Sequence, residues 1–240
     1  MKEYEFIGKC LLVEVWGKKI LAVGDLHLGY EEALNITGVF VGRKLYDEMI
    51  SDFEKIFEKT GGVDVVVLLG DVKHYFGESL KQEWGDVLKL FDYFLEKKRV
   101  GKIIACKGNH DNYLKTIAGK RNVEVLDFFV AGNFAFLHGD KDFEGIYDKK
   151  IKYWVLGHAH PALTLREGAK SERYKCFLVG EYKGKNVLIV PSFFEGNEGT
   201  DLRKNESGLA WNFDLNKFEV YAVGDRLGAY DFGKLEKIKS

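Results

Sequence analysis

The chain has 240 residues, of which 46% are hydrophobic and 14% aromatic, and its 36 basic and 37 acidic side chains give a net charge of −1. This composition excludes a disordered chain, and the balanced charge excludes a protein that binds nucleic acid or anionic membranes through bulk charge alone. The longest apolar run, Val65 to Leu69, is too short to cross a membrane. Three widely spaced cysteines, all next to apolar residues, favour reduced and buried thiols in a cytoplasmic protein.

Strands and helices alternate in the first half of the chain. Apolar runs predict three strands, at Lys19 to Val23, Val65 to Leu69 and Ile103 to Cys106. Between these strands, apolar residues at helical spacing predict two helices, at Arg43 to Lys59 and at Ser79 to Leu95. Gln82 follows three residues after Ser79, which is the spacing of a capping box at the start of the second helix.

The second half of the chain has the pattern of short strands joined by turns rich in glycine and asparagine. These strands are predicted at Val123 to Val130, Asn133 to Leu137, Tyr153 to Leu156, Tyr174 to Val179, Val187 to Val190, Leu209 to Phe213 and Phe218 to Val223. The change to consecutive strands predicts two packed mixed sheets with helices outside them. No linker or repeat divides the sequence, so we expect residues 1–240 to form one domain.

All six histidines lie in short polar clusters that directly follow an apolar strand. The clusters are Gly24 to His27, Gly70 to His74, Gly108 to Asp111, His138 to Asp140 and Gly157 to His160. A single loop histidine is usually solvated or hydrogen-bonded in the core, but no histidine of this sequence lies outside the clusters. Because α/β proteins bind ligands at the carboxyl ends of their strands, we expect these side chains to converge on one site.

The clusters supply oxygen and nitrogen donors without thiolates, which is the donor set of a divalent metal site. In an extended segment residues i and i+2 point the same way, so each of the pairs Asp25/His27 and His158/His160 is expected to reach one ion. The candidate ligands are Asp25, His27, Asp71, Asn109, His138, His158 and His160. This set is too large for one tetrahedral ion, which predicts two divalent ions that share a carboxylate. Mn²⁺ is the favoured ion, with Ni²⁺, Zn²⁺, Fe²⁺ and Mg²⁺ as alternatives.

In this order the five clusters resemble the signature of the calcineurin-like metallophosphoesterase superfamily, over residues 24–160. The resemblance implies an α/β fold, a four-layer α/β/β/α sandwich of two mixed β-sheets flanked by helices. It also implies that Asp25, His27 and His160 hold the first ion, that Asn109, His138 and His158 hold the second, and that Asp71 bridges both. His110 is then the catalytic histidine beside the leaving-group oxygen, and a hydroxide that bridges the ions attacks phosphorus.

His74 stands where the protein phosphatases of this superfamily have an aspartate, three residues after Asp71. A histidine at this place is similar to the SbcD-like repair nucleases, and short motifs beyond His160 resemble the ICC-like phosphoesterases. The resemblance implies that the His74 imidazole hydrogen-bonds to His110 and shares in catalysis. The alternative is a loop histidine that only shields the site.

The charge near the clusters bears on the substrate. Asn109, Lys73 and Arg43 are candidates for binding the phosphate, with ordinary solvated side chains as the alternative for the two cations. The arginine of the protein phosphatases is absent, and Tyr75 and Phe76 follow His74 instead. A site with fewer positive charges favours a phosphodiester, which carries one negative charge, over a phosphomonoester.

The favoured function is therefore a dinuclear metal-dependent phosphodiesterase, a nuclease-like hydrolase. Its expected partner is a phosphodiester substrate, either single-stranded nucleic acid or a nucleotide. No membrane association is expected, and a homodimer is left open. A phosphomonoesterase or cyclic-nucleotide phosphodiesterase is the alternative. A non-catalytic scaffold, as in the retromer subunit of this superfamily, is disfavoured because His110 and the full ligand set are present.

Overall fold

Two β-sheets form the centre of the computed structural model, which describes residues 3–77, 80–168, 170–204 and 208–238. The first sheet has six strands in chain order, β1 (Tyr4–Ile7), β2 (Cys10–Val15), β3 (Lys18–Val23), β4 (Val65–Leu68), β5 (Lys102–Cys106) and β6 (Glu124–Leu126). Its first three strands are antiparallel to one another, whereas β3 to β6 are parallel. Parallel strands need long crossovers, and the helices of the first half supply them.

The second sheet begins with β7 (Phe128–Ala131), β8 (Phe134–Leu137), β9 (Tyr153–Leu156), β10 (Pro161–Glu167) and β11 (Lys170–Tyr182). It continues with β12 (Lys185–Ile189), β13 (Thr200–Asp201), β14 (Glu219–Val223) and β15 (Ala229–Lys234). Strands β8, β9 and β12 are parallel neighbours at its centre. The long strand β11 changes partners along its length, from β10 to β12 and β14.

The described helices are α1 (Tyr30–Ile36), α2 (Leu45–Thr60), α3 (Lys81–Asp92) and α4 (Leu114–Ala118), and a π-helical turn, Tyr93–Lys97, continues α3. The predicted capping residue Ser79 lies outside the described residues. The described start of α3 is capped by the carboxylate of Glu32 from α1. That carboxylate accepts the backbone N–H groups of Gln82 and Glu83 at 2.9 and 3.2 Å. A carboxylate at a helix N-terminus satisfies free N–H groups and opposes the positive end of the helix dipole.

Three apolar cores separate the layers. One lies between the helices and the first sheet, one between the two sheets, and one on the outer face of the second sheet. The predicted four-layer sandwich with two mixed sheets is confirmed. In the described part of the chain the layer over the second sheet consists of 3-10 turns, at Glu144–Tyr147, Leu202–Lys204, Leu215–Lys217 and Leu235–Lys237. The three cysteines are free and buried, as predicted.

Two predicted strands differ in the structure. The segment Val123 to Val130 is divided at Asp127, so that β6 joins the first sheet and β7 joins the second. The segment Leu209 to Phe213 is not a strand, because Trp211 turns into the outer core of the second sheet and is only 5% exposed. A buried aromatic residue in a loop gives the same alternating apolar pattern as a strand.

Strands β3, β4 and β5 of the first sheet and β8 and β9 of the second end at the same edge of the sandwich. The backbone N–H groups of Leu26 and His27, after β3, donate to the carbonyl of Asp71, after β4, at 3.1 and 2.9 Å. The N–H of Gly157, after β9, donates to the carbonyl of His138, after β8, at 2.9 Å. The five polar clusters therefore meet.

No helix in the described ranges is long and apolar enough to span a bilayer.

Candidate metal centre

Hydrogen bonds join the polar clusters of the two sheets. The backbone N–H of His158 in the second sheet donates to both carboxylate oxygens of Asp25 in the first, at 3.2 and 3.1 Å. In the other direction, Nδ1 of His138 donates to the carbonyl of Leu69 at 3.0 Å. These contacts fix the two halves of the site against each other.

Four of the predicted ligands have left-handed backbones. The φ angles are 45° for His27, 46° for Asp71, 64° for His158 and 44° for His160. Non-glycine residues rarely adopt such angles, and they cluster at functional sites where the surrounding structure imposes them. The prediction that Asp25/His27 and His158/His160 lie in extended segments is therefore wrong. Asp25 and His27 still share one group of donor atoms, but His158 and His160 lie in two different groups, so that pair does not face a single point.

Two glycines of the clusters allow the strand ends to approach one another. A Cβ atom on Gly108 would lie 2.3 Å from the backbone nitrogen of Asp71 and 2.2 Å from its Oδ1. A Cβ atom on Gly70, whose φ is +106°, would lie 2.5 Å from Nδ1 of His138. Because real Cβ atoms do not come this close to other atoms, only glycine fits at both positions.

The first group of candidate ligands is Asp25, His27 and His160, with donor atoms within 4.8 Å of one another. Nε2 of His160 lies 3.2 Å from Oδ1 of Asp25 and 3.4 Å from Nε2 of His27. Asp25 is fully buried and His27 is 6% exposed. Two imidazole nitrogens and one carboxylate thus face a common point.

The second group is Asp71, His138 and His158, joined by Asn109. Nε2 of His138 lies 3.4 Å from Oδ2 of Asp71, 3.0 Å from Oδ1 of Asn109 and 3.0 Å from Nδ1 of His158. Oδ2 of Asp71 also lies 4.0 Å from Nε2 of His27, so this carboxylate stands between the two groups. The structure therefore brings all seven predicted ligands together.

The two remaining histidines lie beside the ligand groups. The backbone N–H of His110 donates to Oδ1 of Asp71 at 2.9 Å, and Nε2 of His110 lies 3.9 Å from Oδ2 of the same carboxylate. Nδ1 of His110 donates to the backbone carbonyl of His74 at 2.5 Å. The imidazole of His74 lies next to His27, with 3.4 Å between the two Nδ1 atoms, and its ring stacks on that of His110 at 5.5 Å. The donor nitrogens of His27, His74 and His110 lie within 4.8 Å of one another and form a third group that could hold a metal ion. The expected hydrogen bond to His110 thus comes from the backbone of His74 and not from its ring.

The two cations expected to bind phosphate do not face the site as free charges. Lys73 is fully buried, pairs with Glu83 at 3.6 Å and donates to the carbonyl of Tyr75. Arg43 donates to both carboxylate oxygens of Asp86, at 2.8 and 2.9 Å. Each of these cations thus has a carboxylate partner, and a phosphate-binding role for Lys73 and Arg43 stays a prediction.

The electrostatics of the site fit a cation. Burial raises the pKa of Asp25, but His160 and His138 outweigh burial and hold that pKa below its usual value. Burial lowers the pKa of His27 to about 3, so its imidazole is neutral and able to bind a metal. Burial also opposes charge on His138, but its hydrogen bond to Asp71 and the charge of Asp25 raise its pKa to about 9, so a bound ion would have to replace the proton of this imidazole. Among the described residues no lysine or arginine pairs with Asp25 or Asp71, so divalent ions would supply the missing positive charge.

Several residues without a predicted role support the site. The hydroxyl of Ser192 and the backbone N–H of Phe194 both donate to the carbonyl of Asp25, at 3.1 Å each. The carbonyl of Gly208 accepts a hydrogen bond from Nε2 of His158 at 3.0 Å. Ser192 follows the parallel strand β12, and its position after a parallel strand is the sequence signal that could have identified it as part of the site. Gly208 has no such signal, because its contribution is a backbone carbonyl.

A search of solved structures found proteins that resemble this chain in fold. A crystal structure of the Pseudomonas putida nuclease MPE has 17% sequence identity and a TM-score of 0.62, covering 93% of this chain and all of the nuclease. The phosphoesterase Yfce from E. coli is 12% identical, with a TM-score of 0.38, and covers 86% of this chain and 88% of its own. Zinc-bound Vps29 from Entamoeba histolytica is 16% identical, with a TM-score of 0.38, and covers 89% of this chain and 99% of its own.

No curated protein is similar enough in sequence to count as a match. The profile of the calcineurin-like phosphoesterase family, in contrast, matches residues 18–185, which is more than half of the chain and includes all five polar clusters. This match confirms the resemblance that the clusters indicated. The chain belongs to the calcineurin-like phosphoesterase family.

Proposed function

We propose that this protein is a metal-dependent phosphodiesterase. Membership of the family makes it a metal-dependent phosphoesterase, with His and Asp groups able to bind divalent metal. The observation that carries the proposal is the convergence of five strand ends, which places two ligand groups on either side of the Asp71 carboxylate. Sites with two adjacent ions are suited to phosphoester hydrolysis.

The ligands divide between two ions. Asp25, His27 and His160 would hold the first ion, Asn109, His138 and His158 the second, and Asp71 both. Oxygen and imidazole donors without a thiolate fit Mn²⁺, which we propose as the ion used. When bound, such ions activate water as a nucleophile and neutralise charge on the phosphoryl oxygens.

His110 acts on the substrate directly in this proposal. Its Nδ1 proton is held by the carbonyl of His74, which leaves Nε2 directed toward the carboxylate shared by the two groups. A protonated imidazole fixed in this way can donate to the oxygen that leaves phosphorus, and the Nδ1 hydrogen bond keeps the ring from rotating.

The charge of the site supports a diester over a monoester. Lys73 and Arg43 are neutralised by Glu83 and Asp86, and so offer no free charge to a phosphate. A monoester carries a second negative charge that would need a further cation near the ions. A nuclease has the same fold over its whole length, and we propose single-stranded nucleic acid or a nucleotide as the substrate.

A comparison of two chromogenic substrates tests the proposal. Purified protein with Mn²⁺ is expected to hydrolyse bis(p-nitrophenyl) phosphate faster than p-nitrophenyl phosphate, and EDTA is expected to abolish both activities. A faster rate on the monoester would identify a phosphomonoesterase instead. Inert protein with each of Mn²⁺, Ni²⁺, Zn²⁺, Fe²⁺ and Mg²⁺ would refute an enzymatic role.

A further inference from the structure

The ring of Phe76 lies directly against His110. The two ring centroids are 3.6 Å apart with 34° between the planes, and Phe76 is nevertheless 56% exposed. Single exposed apolar side chains are common on protein surfaces, but this ring is distinguished by its contact with a histidine of the proposed reaction centre. The contact with His110 places the exposed ring next to the phosphate that this histidine would contact.

A second loop, which carries another exposed aromatic residue, contacts the backbone of Phe76. The side-chain amide of Asn112 donates to the carbonyl of Phe76 at 2.8 Å, which ties the loop after β5 to the loop after β4. Tyr113 comes next in the chain, is 55% exposed and has a φ of +65°. Such a backbone angle in a bulky residue is a strain that surrounding contacts must impose. In the described part of the chain no aromatic ring is in contact with the ring of Tyr113.

The mechanism proposed above needs no aromatic residue at this position. Chemistry at phosphorus requires the ions and His110, and a simple phosphodiester offers no flat apolar group to cover an exposed ring. A nucleobase offers such a group, and base stacking on aromatic side chains tolerates any base. Stacking also supplies binding energy that a chain of net charge −1 does not gain from bulk charge.

Building on the proposed phosphodiesterase, we propose that Phe76 is a stacking platform for a base next to the scissile phosphate. The substrate class is then single-stranded nucleic acid, because the bases of a duplex are already stacked on their neighbours. Phe76 is a specificity-determining residue in this inference. It selects substrates that carry bases, whereas the ions and His110 act on the phosphate.

A pair of oligonucleotides separates the platform from the phosphate chemistry. One is single-stranded oligothymidylate, and the other has the same backbone with abasic sites throughout. With Mn²⁺, the wild-type protein is expected to favour the first in kcat/KM by about tenfold. Phe76→Ala is expected to remove this preference and Phe76→Trp to retain it. Trp16→Ala is the matched control, since Trp16 is 84% exposed in the turn at the opposite end of β3 and is expected to keep the preference.

A binding measurement separates this inference from the proposed activity. An oligonucleotide that contains 2-aminopurine is titrated with wild-type protein and with Phe76→Ala, both with Mn²⁺ and with EDTA. Stacking quenches this base, so we expect quenching with the wild-type protein and its loss in the variant. Equal kcat/KM for the two oligonucleotides, or unquenched 2-aminopurine, overturns the platform and leaves the phosphodiesterase intact. Quenching without hydrolysis of either oligonucleotide supports the platform and overturns the proposed activity.

Discussion

Nδ1 of His110 donates a hydrogen bond to the backbone carbonyl of His74, over 2.5 Å. The orientation of His110 therefore depends on the path of the chain at residue 74 and not on which side chain stands there. The imidazole of His74 has a separate contact, with His27, which belongs to the first ligand group. The backbone carbonyl of His74 thus orients His110, whereas its imidazole contacts His27.

Replacing the ring of His74 tests this division. His74→Ala keeps the carbonyl and removes the partner of His27, so we expect Mn²⁺ affinity to fall by about ten- to 100-fold. Turnover at saturating Mn²⁺ is expected to stay close to wild type. Isothermal titration of Mn²⁺ and activity across a Mn²⁺ series measure the two effects. A loss of kcat that excess Mn²⁺ does not restore would assign the imidazole a part in catalysis.

His110→Gln is expected to lower kcat by about 10² to 10⁴ without loss of metal, because His110 is proposed to act on the substrate and not to bind an ion. Metal content by mass spectrometry and kcat on bis(p-nitrophenyl) phosphate are the measurements. Parallel loss of metal and activity would instead make His110 a ligand.

Asp71→Asn is expected to weaken both ions, because Oδ2 of Asp71 faces ligands of both groups. The control is His160→Ala, whose imidazole contacts only the first group through Asp25 and His27, and which should weaken one ion. Elemental analysis after dialysis gives the number of ions retained. An Asp71→Asn protein that retains two ions would contradict the shared carboxylate.

The buried pair of Lys73 and Glu83 predicts a change in stability. Both side chains are fully buried, and Glu83 also accepts the backbone N–H groups of His74 and Tyr75, at 2.9 and 2.7 Å. Glu83→Gln leaves the Lys73 ammonium without its carboxylate and should lower the free energy of unfolding by about 3–5 kcal/mol. Adding Lys73→Met should recover much of this loss. Urea denaturation measures the free energy of unfolding of both variants. A Glu83→Gln protein as stable as wild type would show that the pair contributes nothing to stability.

Gly108→Ala is expected to abolish metal binding, because the new Cβ would overlap the backbone nitrogen of Asp71. Gly85→Ala is the matched control. Gly85 lies within α3 with no other atom within 4 Å of its would-be Cβ, so alanine there should stabilise the helix by about 0.5–1 kcal/mol. Thermal unfolding and Mn²⁺ titration distinguish the two variants. Normal Mn²⁺ affinity in Gly108→Ala would mean that the strand ends can move apart.

The sequence predicted that the seven candidate ligands lie close together, because the signal for this is local. Each polar cluster directly follows an apolar strand, and parallel strands must end at one edge of a sheet. The backbone path within each cluster was not predictable. The left-handed backbone of His27 is imposed by its contacts with another strand end. Those contacts are remote in sequence, so the local pattern gave an extended conformation instead.

The carboxylate partners of Lys73 and Arg43 could not be predicted from the sequence either. Lys73 and Arg43 are near the clusters along the chain, but their partners Glu83 and Asp86 lie in α3, and only folding pairs them. The strand prediction at Leu209 to Phe213 failed for a similar reason, since burial of Trp211 in a distant core gives an alternating pattern without strand pairing. Contacts that are remote in sequence decide these cases.

The chain crosses from one sheet to the other at Asp127, and the proposed ligands of each ion come from both sheets. Asp25 and His27 follow a strand of the first sheet, for instance, whereas His160 follows a strand of the second. Bound ions would therefore link the two sheets of the sandwich at the edge where the ligand-bearing strands end. Resistance to heat and catalytic activity would then both depend on the bound ions, because loss of the ions removes links between the sheets as well as the reaction centre.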